Sequence, residues 1–119
     1  MDIRNDIQKV IESLNYLIDV YEGIDVNDEQ QLQYCFSQFN LFIDKNEYFE
    51  NIKKRDKEEN DKLLGLATES LNVIRDTQLK LEEEMTIEDM DKFNAWTNMG
   101  IILAKAYLYS YLRLNDGKW

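Results

Sequence analysis

No proline interrupts this chain of 119 residues, so no residue imposes the φ lock and missing N–H that end a helix. Histidine is absent as well. That removes the side chain most used for proton transfer near neutral pH and most used to bind metals. The first absence favours long helices. The second moves the balance away from catalysis and toward binding.

Helical periodicity fills the permitted space. Ile3, Ile7, Val10, Ile11, Leu14, Leu17, Ile18 and Tyr21 recur at spacings of three and four and predict a first helix over 2–22. Gly23 is placed to end it in a left-handed cap. Asp28 and Glu29 suit the start of a second helix, over 28–44, striped by Leu32, Phe36, Phe39 and Ile43. Tyr34, Cys35, Leu41 and Phe42 widen that stripe and predict cover on more than one side. Residues 47–54 form a short extra helix or continue the second one. The mixed charges from Lys53 to Lys62 suit a solvated turn or loop.

Leu64, Ala67, Leu71, Ile74, Gln78, Leu81 and Met85 then form a heptad seam in which only Gln78 is polar. This third helix is expected to start near residue 58 and to turn at Met85–Thr86, with Thr86 as N-cap of a fourth helix over 87–114 stopped by Asn115 and Gly117. At about 28 residues each, roughly 40 Å long, the last two make a long hairpin. The expected fold is therefore all-α: one domain over 1–119, an antiparallel bundle of four main helices with a short fifth at 47–54, built on that hairpin.

The fourth helix is the unusual one. Ile101, Ile102, Leu103, Ala106, Tyr107, Leu108, Tyr109 and Leu112 cannot share one face, which predicts burial on most sides. Two long helices against two shorter ones leave length uncovered, to be closed by the 47–54 helix or by a second copy in a homodimer. From Phe93 to Leu112 the only charge is Lys105, but Asn94, Thr97, Asn98 and Ser110 favour a core helix over a membrane span. Trp96 is expected in the core with Phe93, Gly100 and Tyr107. Trp119 is expected to fold back onto the bundle.

Charge narrows the partners. With 24 acids against 14 bases the net charge is −10, which disfavours direct contact with nucleic acid or an anionic membrane and favours a basic protein partner. A lone cysteine, Cys35, forbids an internal disulfide, and no signal-peptide pattern opens the chain; both predict a reducing, cytoplasmic setting. Cys35 lies between Tyr34 and Phe36 and is expected to be a buried structural thiol. Ten lysines against four arginines, with frequent Asn and Ile, fit an AT-rich bacterial or phage genome.

Two acidic regions stand out. Glu82, Glu83, Glu84, Glu88, Asp89 and Asp91 crowd the predicted hairpin tip and are the candidate partner-binding residues. The last three sit favourably at a helix N-terminus, whereas Glu82 to Glu84 oppose a helix dipole at a cost of roughly 0.3–1 kcal/mol each. The second region holds Asp2, Asp6, Glu12, Asp19, Glu22, Asp25, Asp28 and Glu29, opposed only by Arg4 and Lys9. Such a carboxylate array can meet the Lys/Arg set that phosphates would otherwise meet.

An Mg²⁺ alternative rests on Glu88-x-x-Asp91 and on Glu58-Glu59-Asn60-Asp61-Lys62. Together they echo the E-x-x-D and E-E-x-x-E pairs of all-α nucleotide pyrophosphohydrolases, except that Lys62 replaces the last acid. No catalytic, cofactor or metal residue is assigned. The expected function is a small acidic inhibitor, of the immunity or anti-defence type, that occludes a target that is nucleic-acid-handling or otherwise basic. A self-associating structural or adaptor subunit is the alternative from another class.

Overall fold

The computed structural model describes residues 3–25, 27–81 and 87–116. They form five helices and, among the described residues, no strand: α1 (Ile3–Glu22), α2 (Glu29–Lys45), α3 (Glu47–Glu59), α4 (Lys62–Leu81) and α5 (Ile87–Asp116). The whole measures 46 × 24 × 20 Å. Glu82, Glu83, Glu84, Met85 and Thr86 lie outside the described residues, as does Trp119.

The α1 stripe packs as its spacing predicts. Ile7, Val10, Ile11, Leu14, Leu17 and Tyr21 are buried, with Ile3 and Ile18 against the core edge. Gly23 does not take a left-handed conformation; the left-handed cap belongs to Asn60 at φ 52°, which ends α3 by donating its N–H to the Asp56 carbonyl at 2.7 Å. Asn tolerates this region because its short polar side chain bonds locally. Asp61 then caps α4, accepting from the amides of Leu63 and Leu64. The long third helix therefore starts at Lys62 and not near 58, and Glu58 and Glu59 close the helix before it.

The short helix is separate and longer than expected. Asn46 divides α2 from α3: its backbone N–H donates to the Phe42 carbonyl, and its Oδ1 accepts from the Phe49 amide at 2.7 Å. One residue is thus C-cap and N-cap at once. Together α2 and α3 reach the length of α5, while α1 and α4 are shorter, at 20 residues each. Phe42 and Phe49 pack across the break with ring centroids 5.5 Å apart.

Contacts fix the neighbours. The missing side chain of Gly100 in α5 is occupied by Ile74 of α4, whose Cδ1 lies 2.6 Å from where a Cβ would stand. Near the far end of α5, burial and the carboxylates of Glu59 and Asp61 push the Tyr111 hydroxyl above its usual range, so Tyr111 lies beside the start of α4. α4 and α5 therefore run in opposite directions. α1 packs on α2, α3 and α5, and α4 also packs on α2 and α3.

The α4 seam is buried from Leu64 through Ala67, Leu71 and Ile74 to Gln78. One expectation fails, and of the two covers expected for the fourth helix the short helix is not one. Tyr34 and Leu41 are exposed, so α2 is covered on one side only. The face of α5 bearing Trp96, Ile102, Leu103, Ala106 and Tyr109 is likewise open to solvent, because α3 packs on α1 and α4 and leaves that face bare. Among the described residues no helix is long and apolar enough to cross a membrane.

Candidate functional site

The fold brings parts of the two acidic regions to one end of the molecule, while Asp6, buried and accepting from Asn51, and Glu12 lie further back along α1. The Asn94 side-chain amide donates to the Tyr21 carbonyl at 3.3 Å, which sets the start of α5 beside the end of α1. The α1–α2 loop closes the same end. Asp19, Glu22, Asp25, Asp28, Glu29, Glu88, Asp89 and Asp91 gather there, although more than sixty residues separate the first from the last. Bases at this end, among the described residues, are Lys80 and Lys92.

These carboxylates divide by what they already do. Asp28 caps α2, accepting from the amides of Gln30 and Gln31, and Asp25 accepts from the Asn27 amide. Both hold the loop. Glu88 pairs with Lys92 at 3.3 Å on a fully solvated turn, a contact of little energetic weight. Asp19 and Glu22 are exposed in the last turn of α1, where no basic residue offsets them. Negative charge there opposes the helix dipole. Asp91 and Glu29 are exposed as well, and Asp89 is exposed in the first turn of α5. Of the six predicted site residues, Glu88, Asp89 and Asp91 are therefore on the surface at this end. Glu82, Glu83 and Glu84 fall outside the described residues.

The half-sets of the Mg²⁺ motif do not meet. Glu58 and Glu59 end α3 near Tyr111, whereas Glu88 and Asp91 begin α5, about 35 Å away by helix rise. Among the described residues no three His, Cys, Asp or Glu side chains group where they could hold a metal ion.

Behind the acidic end lies a buried polar knot. Gln78 is fully buried; its Oε1 accepts from the Tyr21 hydroxyl at 3.0 Å, and its Nε2 donates to the Phe36 carbonyl at 3.2 Å and to Asn40 Oδ1 at 3.1 Å. One amide thereby ties α4 to α1 and α2. Burial, with the Cys35 sulfur nearby, drives the Tyr21 hydroxyl far above its ordinary value. Burial pushes the Cys35 thiol up to about 11, and its Sγ faces the Val20 carbonyl at 3.7 Å. A thiol held protonated is a poor nucleophile.

Concavities also line the sides of the molecule. One of about 470 Å³ opens between α1 and α2 beside Tyr16, Leu41 and Phe42. Another of about 310 Å³ runs between α4 and α5 along Leu66, Val73, Trp96, Met99 and Leu103. Trp96 is thus a wall of an open groove and not a core residue. A helix apolar all round predicts burial on most sides, and within one copy this face is left open. Its signal was a second heptad spacing, Trp96, Met99, Leu103 and Ala106, beside the buried one of Phe93, Thr97, Ile101, Ala104 and Leu108.

Compared with protein-family models, curated proteins and solved structures, the chain matches none.

Proposed function

We propose that this chain is a small acidic protein-binding module, a bacterial or phage inhibitor of the immunity or anti-defence kind. It blocks a basic, nucleic-acid-binding target by occupying the surface that would receive phosphates. The scaffold we infer is four antiparallel rods, α1, the broken α2–α3 rod, α4 and α5. The observation that carries the reading is the convergence of parts of two acidic regions, Asp19 to Glu29 and Glu88 to Asp91, distant in sequence, on one end of this scaffold. Asp19 and Glu22 strengthen it, because they keep negative charge where the helix dipole makes it unfavourable.

The mechanism requires no chemistry. A carboxylate array on rigid helix ends speeds encounter with a basic surface, and its fixed placement removes part of the ordering cost of binding. Capture from a native-host lysate at low and high salt tests it, using the chain and the variant Asp19→Asn/Glu22→Gln/Glu88→Gln/Asp91→Asn. The variant should stay folded, since none of these side chains is buried. The expected result is a basic protein held at low salt, released at high salt and lost by the variant. Capture that ignores both salt and the variant would overturn the reading.

A further inference from the structure

The exposed face of α5 is the most unusual surface of so charged a chain. From 95 to 110 every exposed position on α5 is uncharged, and the large side chains there are half open: Trp96 44%, Met99 64%, Ile102 48%, Leu103 47% and Tyr109 45%. The one charge in this stretch, Lys105, is turned toward α1, where its Nζ donates to Asn15 Oδ1 at 2.6 Å. Across the groove, Val73 of α4 extends the apolar surface, and Glu69 is the one carboxylate lining it.

Charge selects the occupant. A basic partner would gain little from a face whose one carboxylate is Glu69 at its α4 edge. A second copy of this chain brings another −10, and its approach is most tolerable on a face as poor in acids as the α5 stripe, where Glu69 lies only at the α4 edge. The spacing also matches itself. About a point between Ile102 and Leu103, an antiparallel copy of α5 sets Trp96 opposite the partner's Tyr109, Met99 opposite the partner's Ala106, and the two central residues opposite each other. Large meets small at the 99–106 step, as close helix packing requires. The uncovered stripe and the adjoining α4 side chains offer on the order of 600 Å² per copy, so a pair would bury about 1,200 Å², the lower end of specific interfaces.

We infer that two copies of this chain dock through α5, antiparallel about a two-fold axis at Ile102–Leu103, into a dimer that leaves the acidic ends free. This stands apart from the proposed inhibitor role, since a monomeric variant retains every carboxylate at the acidic end.

Sedimentation of the full chain over a range of micromolar concentrations is the test. The expected mass is twice that of the monomer, with a reversible shift on dilution. Met99→Glu sets two carboxylates into the interface and should weaken association roughly hundredfold, with helical content and melting unchanged in the isolated protomer. Met99→Glu combined with Ala106→Lys should restore the dimer, because each glutamate then faces the partner's lysine across the axis, whereas within one copy the two stand seven residues apart. A wild-type monomer at high concentration would overturn the inference. So would a dimer indifferent to Met99→Glu, or a double variant that stays monomeric.

Discussion

Replacing Gln78 with leucine is expected to destabilise the fold by about 2–4 kcal/mol, even though leucine matches the seam around it in size and polarity. The heptad position is fully buried between Ile74 and the end of α4, so a hydrophobic residue looks like an improvement by pattern alone. The partners decide otherwise. Without the amide, the Asn40 side chain loses an acceptor role at 3.1 Å and the Phe36 carbonyl loses a donor at 3.2 Å. The Tyr21 hydroxyl keeps only a longer contact, to the Cys35 carbonyl at 3.4 Å. Urea denaturation measures the loss as a lower midpoint at constant slope. Adding Tyr21→Phe removes one orphaned donor, so the double variant should lose less than the two single variants combined, with a coupling of about 1 kcal/mol or more. Strict additivity would show that the knot does not act as a unit.

Alkaline pH should unfold the chain early, and Tyr21 with Cys35 should set where. Both groups are buried and neutral, with folded pKa values raised above their unfolded values. Their stabilisation is therefore complete below the unfolded values and lost as pH rises. Cys35 starts from 9.0 and reaches about 11 in the fold, so its share is lost between those pH values. Tyr21 adds a second slope from pH 10, its unfolded value. By pH 11 both groups work against the fold of a domain whose stability is marginal. Stability measured from pH 8 to 11 should bend downward near pH 9 and steepen near pH 10. Cys35→Ala should remove the first bend and Tyr21→Phe the second. An unchanged profile in both variants would assign alkaline unfolding to other groups.

How far the sequence spoke depended on whether a feature was local or shared between helices. The stripe of α1 and the seam of α4 were legible because burial of one helical face leaves a period in the chain, and Asp28 was legible because a cap is a short-range contact. The break at Asn46 was half legible: a turn and a continuous helix both suited Asp44-Lys45-Asn46, and only the packing of Phe42 on Phe49 separates them. Asn60 gave no signal, since mixed charge around it suits a helix end and a helix start alike. The face of α5 was legible as apolar but not as open within one copy. An apolar run shows that a surface avoids water, not which chain covers it, and Ile102 and Leu103 look the same in sequence as the buried Ile101. The acidic end was legible only in halves: Asp19 and Glu22 near one terminus, Glu88 and Asp91 near the other. Their meeting depends on the pairing of α1 with α5 through Tyr21 and Asn94.

The proposed role rests on that meeting. Its most direct measurement is the association rate with the captured basic partner as a function of ionic strength, for the wild-type chain and for Asp19→Asn/Glu22→Gln/Glu88→Gln/Asp91→Asn. Solvated charges at an interface act chiefly on the on-rate, so the wild type should associate at least about tenfold faster at low salt and lose that advantage as salt rises. The variant should associate slowly, with a flatter salt dependence. Equal rates and equal salt slopes would contradict the account and remove the acidic end as the contact surface.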